Sequence, residues 1–289
     1  MEIIRSRQAL KDAIRGLRAD GKTIGFVPTM GALHAGHLSL VEIAKKNADA
    51  VVVSVFVNPT QFGPTEDFTQ YPRTEVEDLI NLEMAGVAMA YFPTLEEIYP
   101  QGTHARLSVP PIANELDGAF RPGHFEGVAM VVAELFRQVT PDIAVFGEKD
   151  YQQLHIVREM ARAQKFAVNI IGAPIMREED GLAMSSRNRY LSDKQRRQAA
   201  EMYSVLTDTD EALQEGLSIQ QALYDAKTAL YASGFTNVDY VELRDAATLA
   251  PVTALAQPSR LLAAAHLGTT RLIDNIAVAP RGKKTPPLN

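Results

Sequence analysis

The stretch "VPTMGALHAGHLSL", residues 27–40, decides the fold, because it joins a strand to a helix through a glycine-containing turn. The mainly apolar residues 23–28 are typical of a short strand that ends at Pro28. After the turn, apolar residues recur at helical spacing at Leu38, Leu40, Val41, Ile43 and Ala44. The sequence therefore predicts a helix that begins close to His34 and His37.

The two histidines at this predicted helix start favour a phosphate site. A helix N-terminus offers unpaired backbone N–H groups and a partial positive charge, and glycine lets the backbone approach a ligand closely. Two imidazoles beside it can donate hydrogen bonds to phosphate oxygens. The alternatives are a metal site, which no nearby third ligand supports, and ordinary surface histidines. Phosphate binding is favoured because two of only six histidines lie beside one glycine turn.

Composition narrows the class of protein. The 289 residues suffice for one large or two modest domains, and the absence of cysteine excludes disulfides and thiolate metal sites. The net charge of −6 argues mildly against a nucleic-acid partner. No apolar run is long enough to cross a bilayer, and no signal peptide is recognised. We expect a cytoplasmic protein without nucleic-acid or membrane partners.

The chain alternates strand-like and helix-like segments up to about residue 176, which predicts βαβ units and a doubly wound, Rossmann-like parallel sheet. Residues 50–57 are β-branched and apolar on both faces, as in a central strand. Further segments are predicted as helices at 73–86, 124–139 and 151–164, and as strands at 87–92, 142–146 and 166–171.

A smaller α+β domain is predicted from residue 177 onward, so the expected domains are 1–176 and 177–289. Ser192 opens a capping box, "SDKQ", before a helix. The segments that follow are predicted as helices near 193–215 and 218–233, and as strands at 238–243, 260–267 and 270–278. The tail from residue 280 is predicted to be disordered.

The stretch "VNPTQF", residues 57–62, directly follows a predicted strand. The carboxyl ends of strands are where open α/β sheets bind ligands. Asn58 and Gln61 are neutral amides that both donate and accept, which suits a small hydroxylated acid. The alternative is an Asn-Pro turn with an exposed glutamine.

The stretch "FGEKDYQQL", residues 146–154, also follows a predicted strand. Lys149 could serve as a phosphate cation, Asp150 as a ribose or metal partner, and Gln153 would face the same site one helical turn on. The alternative is a helix start with Asp150 as its cap and Lys149 in solvent.

The stretch "MSSRN", residues 184–188, lies in a polar loop. Its two hydroxyls and its guanidinium could close over a polyphosphate. The triplet Ser-Ser-Arg is also common in solvated loops, so this stretch indicates a phosphate site only in combination with the other motifs.

Two of these stretches resemble signatures of one superfamily. His34-Ala35-Gly36-His37 resembles the HxGH signature of the adenylyl- and cytidylyl-transferases, which include class I aminoacyl-tRNA synthetases. "MSSRN" resembles their KMSKS loop, although Arg187 stands where a second lysine is frequent and no lysine begins the stretch. The resemblance implies a Rossmann-like domain whose histidines contact ATP phosphates during attack at the α-phosphorus.

Taken together, the motifs resemble one family, pantothenate synthetase or pantoate–β-alanine ligase. The resemblance implies an ATP-dependent ligase of pantothenate and coenzyme A biosynthesis, which joins pantoate to β-alanine through pantoyl adenylate and releases AMP and pyrophosphate. It also implies Mg²⁺ as cofactor and a homodimer. The matching motifs are "PTMGALHAGH", "NPTQF", "YPRT", "RPGHFEGV", "FGEKDYQQL" and "REEDGLAMSSRN".

The resemblance also implies site residues, with His37 as the proton donor. Pantoate is expected at Asn58, Gln61 and Gln153, and Mg²⁺ near Glu77 or Asp78. The residues expected to be catalytic are His34, His37, Lys149, Ser185, Ser186 and Arg187. The residues expected to bind ATP are Met30, Gly31, Ala32, Leu33, His34, Ala35, Gly36, His37, Gly147, Glu148, Lys149, Asp150, Met176, Met184, Ser185, Ser186 and Arg187.

Two rival functions share parts of this pattern. Another small adenylyl- or cytidylyl-transferase would carry the HAGH motif but need not carry Gln61 and Gln153. A non-enzymatic nucleotide sensor would bind ATP without releasing pyrophosphate. A tRNA synthetase is disfavoured, because the chain is acidic and too short for an anticodon-binding domain.

Overall fold

The computed structural model describes residues 1–64, 66–100, 102 and 107–280. Two compact units are present, the first comprising residues 1–176 and 184–186 and the second the described remainder from residue 177 onward. The short segment Met184–Ser186 therefore lies in the first unit, whereas the sequence analysis assigned it to the second domain. Of the tail predicted to be disordered, residues 280–289, all but Pro280 lie outside the described residues.

The first unit is built on a parallel sheet, which in the described residues has six strands in the order β1-β4-β3-β2-β5-β6. Helices cover both of its faces, so the predicted doubly wound, Rossmann-like fold is confirmed. The strands are β1 Glu2–Ile4, β2 Ile24–Thr29, β3 Ala50–Val55, β4 Met89–Tyr91, β5 Ile143–Gly147 and β6 Asn169–Ala173. The helices are α1 Arg7–Ala19, α2 Ala35–Asn47, α3 Glu75–Met84, α4 Leu95–Ile98, α5 Asp117–Phe120, α6 His124–Val139 and α7 Tyr151–Ala163.

Two apolar cores form because successive strand residues point to opposite faces of the sheet. Phe26 and Val52 pack on one face with apolar residues of α1, α6 and α7. Val27, Val51 and Val53 pack on the other face with α2 and α3. The predicted central strand is therefore apolar on both sides because helices cover both sides.

The strand order places the carboxyl ends of three neighbouring strands side by side. From β2 the chain moves to β3 and β4 on one side, and it later returns to β5 and β6 on the other. The direction of winding thus reverses between β2 and β5, and such a point is where open α/β sheets bind ligands. The three motif-bearing loops that follow β3, β2 and β5 meet at this edge.

The second unit confirms the predicted smaller α+β part. Its sheet is antiparallel, in the order β7-β8-β9, and two long helices contribute to its core. Ser192 and Gln195 form the predicted capping box before the first of these helices. The elements are α8 Asp193–Glu215, α9 Ile219–Ala232, β7 Asn237–Asp245, β8 Ser259–Leu267 and β9 Thr270–Val278. None of the helices in the described part of the chain has the length and apolar character needed to cross a membrane.

Two parts of the first unit differ from the prediction. Strand β1 and helix α1 were not predicted at all. The strand predicted at 166–171 begins only at Asn169, because Lys165 adopts a left-handed conformation (φ +55°) where α7 ends. The Phe166 N–H then bonds back to the Ala161 carbonyl, so residues 166–168 connect the helix end to the sheet rather than extend the strand.

Candidate active site

The turn that follows β2 depends on an unusual backbone. Gly31 has φ +81° and Ala32 has φ +50°, so two consecutive residues are left-handed. A Cβ atom on Gly31 would lie 2.9 Å from Val55 Cγ1 and 3.0 Å from Asp78 Oδ2. Glycine is needed at position 31 for both its conformation and its space. The turn therefore brings backbone, rather than a side chain, to the edge of the sheet.

Asp78, at the start of α3, holds this turn. Its carboxylate accepts hydrogen bonds from the Ala32 N–H at 3.0 Å and from the Leu33 N–H at 2.8 Å. Thr74 Oγ1 lies 3.3 Å from the same carboxylate, and Asp78 is only 1% exposed. Glu77, the other residue predicted near Mg²⁺, is exposed on the surface of α3. The two carboxylates therefore have different surroundings.

His34 and His37 stand at the first turn of α2, as predicted. His34 is the N-cap residue, and its Nδ1 accepts a hydrogen bond from the Gly36 N–H at 3.2 Å. The His34 N–H in turn donates to His37 Nδ1 at 3.3 Å, and the ring centroids are 4.1 Å apart. Because each Nδ1 accepts a backbone N–H, the proton of each neutral ring lies on Nε2. Both side chains thus cap the helix and keep an N–H donor.

The surroundings of His37 favour its neutral form. Desolvation by the surrounding protein, followed by the positive charges of His34 and Lys149, lowers the pKa of His37 to about 3. The imidazole is therefore neutral near pH 7 in the ligand-free protein. A phosphate group next to the ring would raise this pKa, because a nearby negative charge favours the imidazolium.

The loop after β5 lies beside this turn. Gly147 ends the strand, a 3₁₀ turn covers Glu148–Asp150, and α7 follows at once. Asp150 is exposed, and its carboxylate is 4.0 Å from Lys149 Nζ. Asp150 occupies the N-cap position of α7, as the helix-start alternative expects, but its side chain makes no cap bond to that helix. Lys149 is close enough to His37 to influence its pKa.

The segment Met184–Ser186 packs against the histidine turn. Ser186 is buried, and its Oγ donates a hydrogen bond to the Ala32 carbonyl at 3.1 Å. Met184 Cβ lies 3.6 Å from the place that a Cβ on Gly36 would occupy. The Met184 N–H also donates to the carbonyl of Met176, an exposed residue, at 3.0 Å. Three predicted ATP-binding segments thus come together within the first unit.

The "MSSRN" stretch begins in the first unit and continues in the second. Ser185 is half-buried, and Ser186–Tyr190 forms a 3₁₀ turn that carries Arg187 into the second unit. In that unit Asn188 Nδ2 donates to the Glu178 carboxylate and to the Ala183 carbonyl, each at 3.1 Å. These bonds hold the residues on either side of the stretch in a compact loop.

The loop after β3 carries the predicted substrate amides. Gln61 is buried, and its Nε2 lies 3.1 Å from Met30 Sδ, so it adjoins the histidine turn. Asn58 is 1% exposed, and its Nδ2 donates to Gln61 Oε1 at 3.3 Å and to the Gly127 carbonyl at 3.2 Å. Its Oδ1 accepts from the Tyr99 hydroxyl at 3.1 Å. The Asn58 side chain therefore bonds to other protein groups, and one of these bonds holds the Gln61 amide.

The sequence did not predict a half-buried polar network beside Gln61. His124 Nδ1 lies 2.8 Å from the Gln61 carbonyl, and Arg121 Nη1 lies 3.0 Å from His124 Nε2. Arg121 also donates to both oxygens of Glu66, at 2.9 and 2.6 Å. Desolvation, with the positive charge of Arg121, lowers the pKa of His124 to about 4. A neutral His124 donates from Nδ1 and accepts at Nε2, which matches these partners. Arg121 and His124 lie in the motif "RPGHFEGV", which supported the family resemblance but did not predict a role for either residue.

Two adjacent glutamines on the first turn of α7 have different positions. Gln152 is buried, and its Nε2 donates to the Ile112 and Glu115 carbonyls at 2.7 and 2.8 Å. Gln153, the predicted substrate residue, is half-buried. The structure thus makes Gln152 a structural residue, while Gln153 keeps part of its surface open.

Acidic and histidine side chains of the described residues form no cluster of three or more that could hold a metal ion. Asp78 directs both of its carboxylate oxygens to backbone N–H groups. A divalent cation at this edge would therefore need most of its ligands from a bound phosphate and from water.

Comparisons with known proteins point to one family. A family profile described as pantoate-beta-alanine ligase matches residues 2–277. A protein of Sphingopyxis alaskensis named pantothenate synthetase is 52% identical over 278 residues, which are 96% of this chain and 100% of that protein.

Two solved structures have the same fold across nearly the whole chain. The crystal structure of pantothenate synthetase from Thermus thermophilus has a TM-score of 0.91 and 44% identity, covering 97% of this chain and 100% of that one. The pantoate-beta-alanine ligase from Francisella tularensis, complexed with beta-gamma ATP and beta-alanine, has a TM-score of 0.82 and 33% identity, covering 96% and 97%.

Proposed function

The chain belongs to the pantoate–β-alanine ligase family, and from that membership we infer that it is an ATP-dependent ligase that condenses pantoate with β-alanine. The pantoate carboxylate attacks the α-phosphorus of ATP, the bond to pyrophosphate breaks, and pantoyl adenylate forms. The β-alanine amine then attacks the acyl carbon and loses a proton, the bond to AMP breaks, and pantothenate is released.

One observation supports this assignment most strongly. The turn that carries His34 and His37 packs against Met184–Ser186 through the bond between Ser186 and Ala32. The histidine turn lies at the edge of the parallel sheet where the winding reverses. This arrangement suits a nucleotide whose phosphates lie on the N-terminus of α2.

For the adenylation step, His34 and His37 donate hydrogen bonds from Nε2 to the phosphates. Lys149 adds a positive charge, and Ser185 and Arg187 add further donors. Ser186 ties this segment to the histidine turn, because its hydroxyl donates to the Ala32 carbonyl. The backbone of Gly147–Asp150 and of Met176 contacts the adenosine. No covalent nucleophile is required, because the reaction needs positioned substrates and stabilisation of the charge that develops on phosphate oxygens.

His37 begins this step as a neutral imidazole, because its pKa lies near 3 without a ligand. The charge that accumulates on the phosphate raises that pKa while the Nε2–H bond is in place. A donor of this kind stabilises the transition state more than the ground state, which is what accelerates a reaction. Only the imidazolium, which this raised pKa favours, can act as the proton donor expected of His37.

Pantoate occupies the loop next to the histidine turn. Gln61 and Gln153 bind its hydroxyls and carboxylate, since amides offer both donors and acceptors. Asn58 keeps the Gln61 amide in place through their 3.3 Å hydrogen bond. β-Alanine approaches beside Gln61, close to the acyl carbon of the adenylate.

A bound Mg²⁺ would neutralise charge on the ATP phosphates. Glu77 and Asp78 are the two carboxylates expected near the ion, and Glu77 is the one whose side chain is exposed. A homodimer and a cytoplasmic location are further parts of this proposal, carried over from the family resemblance and from the composition.

The experiment that tests the function is product analysis with ATP, Mg²⁺, pantoate and β-alanine. Over many turnovers, AMP, pyrophosphate and pantothenate should form in equal amounts, and sustained turnover should require both pantoate and the amine. Formation of ADP would contradict the adenylate mechanism. Pyrophosphate release that does not depend on pantoate would favour another nucleotidylyltransferase, and ATP binding without turnover would favour a sensor.

A further inference from the structure

We propose that Asp78 is a positioning residue that fixes the ATP-binding turn, rather than a ligand of the metal ion. This inference rests on the proposed function, because it assumes that the turn with His34 and His37 binds ATP. It gives a role to a buried carboxylate that the reaction scheme does not itself use.

The contacts of Asp78 are directed entirely to the turn and to its own helix. One carboxylate oxygen accepts the Ala32 N–H at 3.0 Å, and the other accepts the Leu33 N–H at 2.8 Å. The Asp78 N–H bonds back to the Thr74 carbonyl at 2.8 Å, so the residue lies in the first turn of α3. A carboxylate is favoured there by the helix dipole as well as by its N–H partners.

The turn needs such support because its backbone is intrinsically unfavourable. Ala32 has φ +50°, a conformation that residues with a Cβ atom rarely adopt. Two hydrogen bonds to a carboxylate that is only 1% exposed favour this conformation. Without them, Gly31 and Ala32 could relax toward other conformations and move the start of α2.

Ala32 also links Asp78 to the second ATP-binding segment. Its N–H is held by Asp78, and its carbonyl accepts the Ser186 hydroxyl at 3.1 Å. One residue is therefore fixed from both sides. A shift of the turn would displace both the histidines and Ser186, so Asp78 acts on the ATP site through the backbone.

Asp78→Asn tests this role, with Glu83→Gln as control because Glu83 is exposed near the end of the same helix. Asparagine keeps one acceptor but turns an NH₂ group toward the second backbone N–H. The wild type must first form AMP and pantothenate, which establishes the function independently. We then expect kcat/KM for ATP to fall about 10- to 100-fold in Asp78→Asn, with a much smaller change in the KM for pantoate and none in Glu83→Gln.

The dependence on Mg²⁺ separates the two roles of Asp78. A positioning residue predicts that the ATP defect persists when Mg²⁺ is in large excess. If excess Mg²⁺ restores the rate, Asp78 is a metal ligand and the inference is wrong. An unchanged kcat/KM for ATP in a folded Asp78→Asn protein overturns it as well.

A second pair of measurements covers the case in which Asp78→Asn does not fold. In the wild type, the amide protons of Ala32 and Leu33 should exchange slowly with solvent, and rapid exchange of both would overturn the inference. Thr74→Val removes only the weaker hydroxyl contact at 3.3 Å. It should raise the KM for ATP by about 2- to 10-fold while a thermal melt stays near that of the wild type; an unchanged KM would count against the proposal.

Discussion

At the scale of single residues, the two histidines show how one side chain can serve structure and chemistry together. Each Nδ1 accepts a backbone N–H, so each ring caps the helix, and the same bond leaves the proton on Nε2. A structural role and a phosphate-binding role are therefore not alternatives at this site. The choice of tautomer is what connects them.

The rate of adenylation tests the role of His37. Removing one preorganised donor of this kind typically costs about 10²–10³-fold in rate. We expect His37→Ala to fold but to lose single-turnover formation of pantoyl adenylate on that scale. A thermal melt of the same variant checks its fold. Near-normal adenylation by the folded protein would show that His37 only caps the helix.

Residue patterns predicted which side chains approach the turn better than they predicted what each one does. The HxGH motif pointed to the helix start because glycine and histidine spacing is a local property. Mg²⁺ was expected near Glu77 or Asp78 without a choice between them, and the Asp78 oxygens accept backbone N–H groups 46 and 45 residues away in sequence. A residue's type does not show whether its side chain will bond to a distant backbone N–H group. The local sequence therefore could not distinguish a metal ligand from a carboxylate that bonds to the backbone.

At the scale of elements, the start of α6 and the loop after β3 form one half-buried polar unit. Glu66, Arg121 and His124 make a chain of bonds that ends on the Gln61 carbonyl. Gly127 permits it, because a Cβ there would lie 2.3 Å from the Thr60 carbonyl oxygen. The close packing of α6 on this loop fixes the backbone of Gln61.

The low pKa of His124 makes the free energy of unfolding depend on pH. The unfolded histidine binds a proton below about pH 6.5, whereas the native one does so only below about pH 4. The unfolded state therefore binds more protons across this window, and stability falls as the pH is lowered through it. His124 contributes up to about 1.4 kcal/mol per pH unit, and His37 adds a slope of the same sign.

Urea unfolding of the wild type and of His124→Gln between pH 7 and pH 4 measures this effect. Glutamine can donate to the Gln61 carbonyl and accept from Arg121, but it does not titrate. The variant should therefore lose stability less steeply than the wild type as the pH falls. Parallel pH dependences of the two proteins would show that His124 is not held neutral in the native state.

Helices and strands were predicted correctly where the hydrophobic pattern was strong. They were missed where a segment adopts its structure only by pairing with another part of the chain. Strand β3 and helix α6 follow from their apolar residues, because the pattern records which faces are buried. Strand β1 has three residues and gains its place only by pairing with β4, residues 89–91 of the chain. Such a short edge strand is specified by its partner rather than by its own sequence.

At the scale of the whole molecule, alternating strands and helices were sufficient to predict a doubly wound sheet followed by a smaller α+β part. The number and order of the strands were not predicted, because the order depends on which loops cross the sheet. That order matters for function, since it places β2 between β3 and β5 and so gathers three motif-bearing loops at one edge. The family of the chain accounts for why all three are present together.

The measurement that tests the central claim most directly follows oxygen through the reaction. The claim is that the pantoate carboxylate attacks the α-phosphorus, so one of its oxygens must leave with AMP. With pantoate labelled with ¹⁸O in the carboxylate, mass spectrometry should find one ¹⁸O atom in each AMP and one in the amide carbonyl of each pantothenate. AMP without label would contradict the claim, because the carboxylate would then not have been activated as an adenylate.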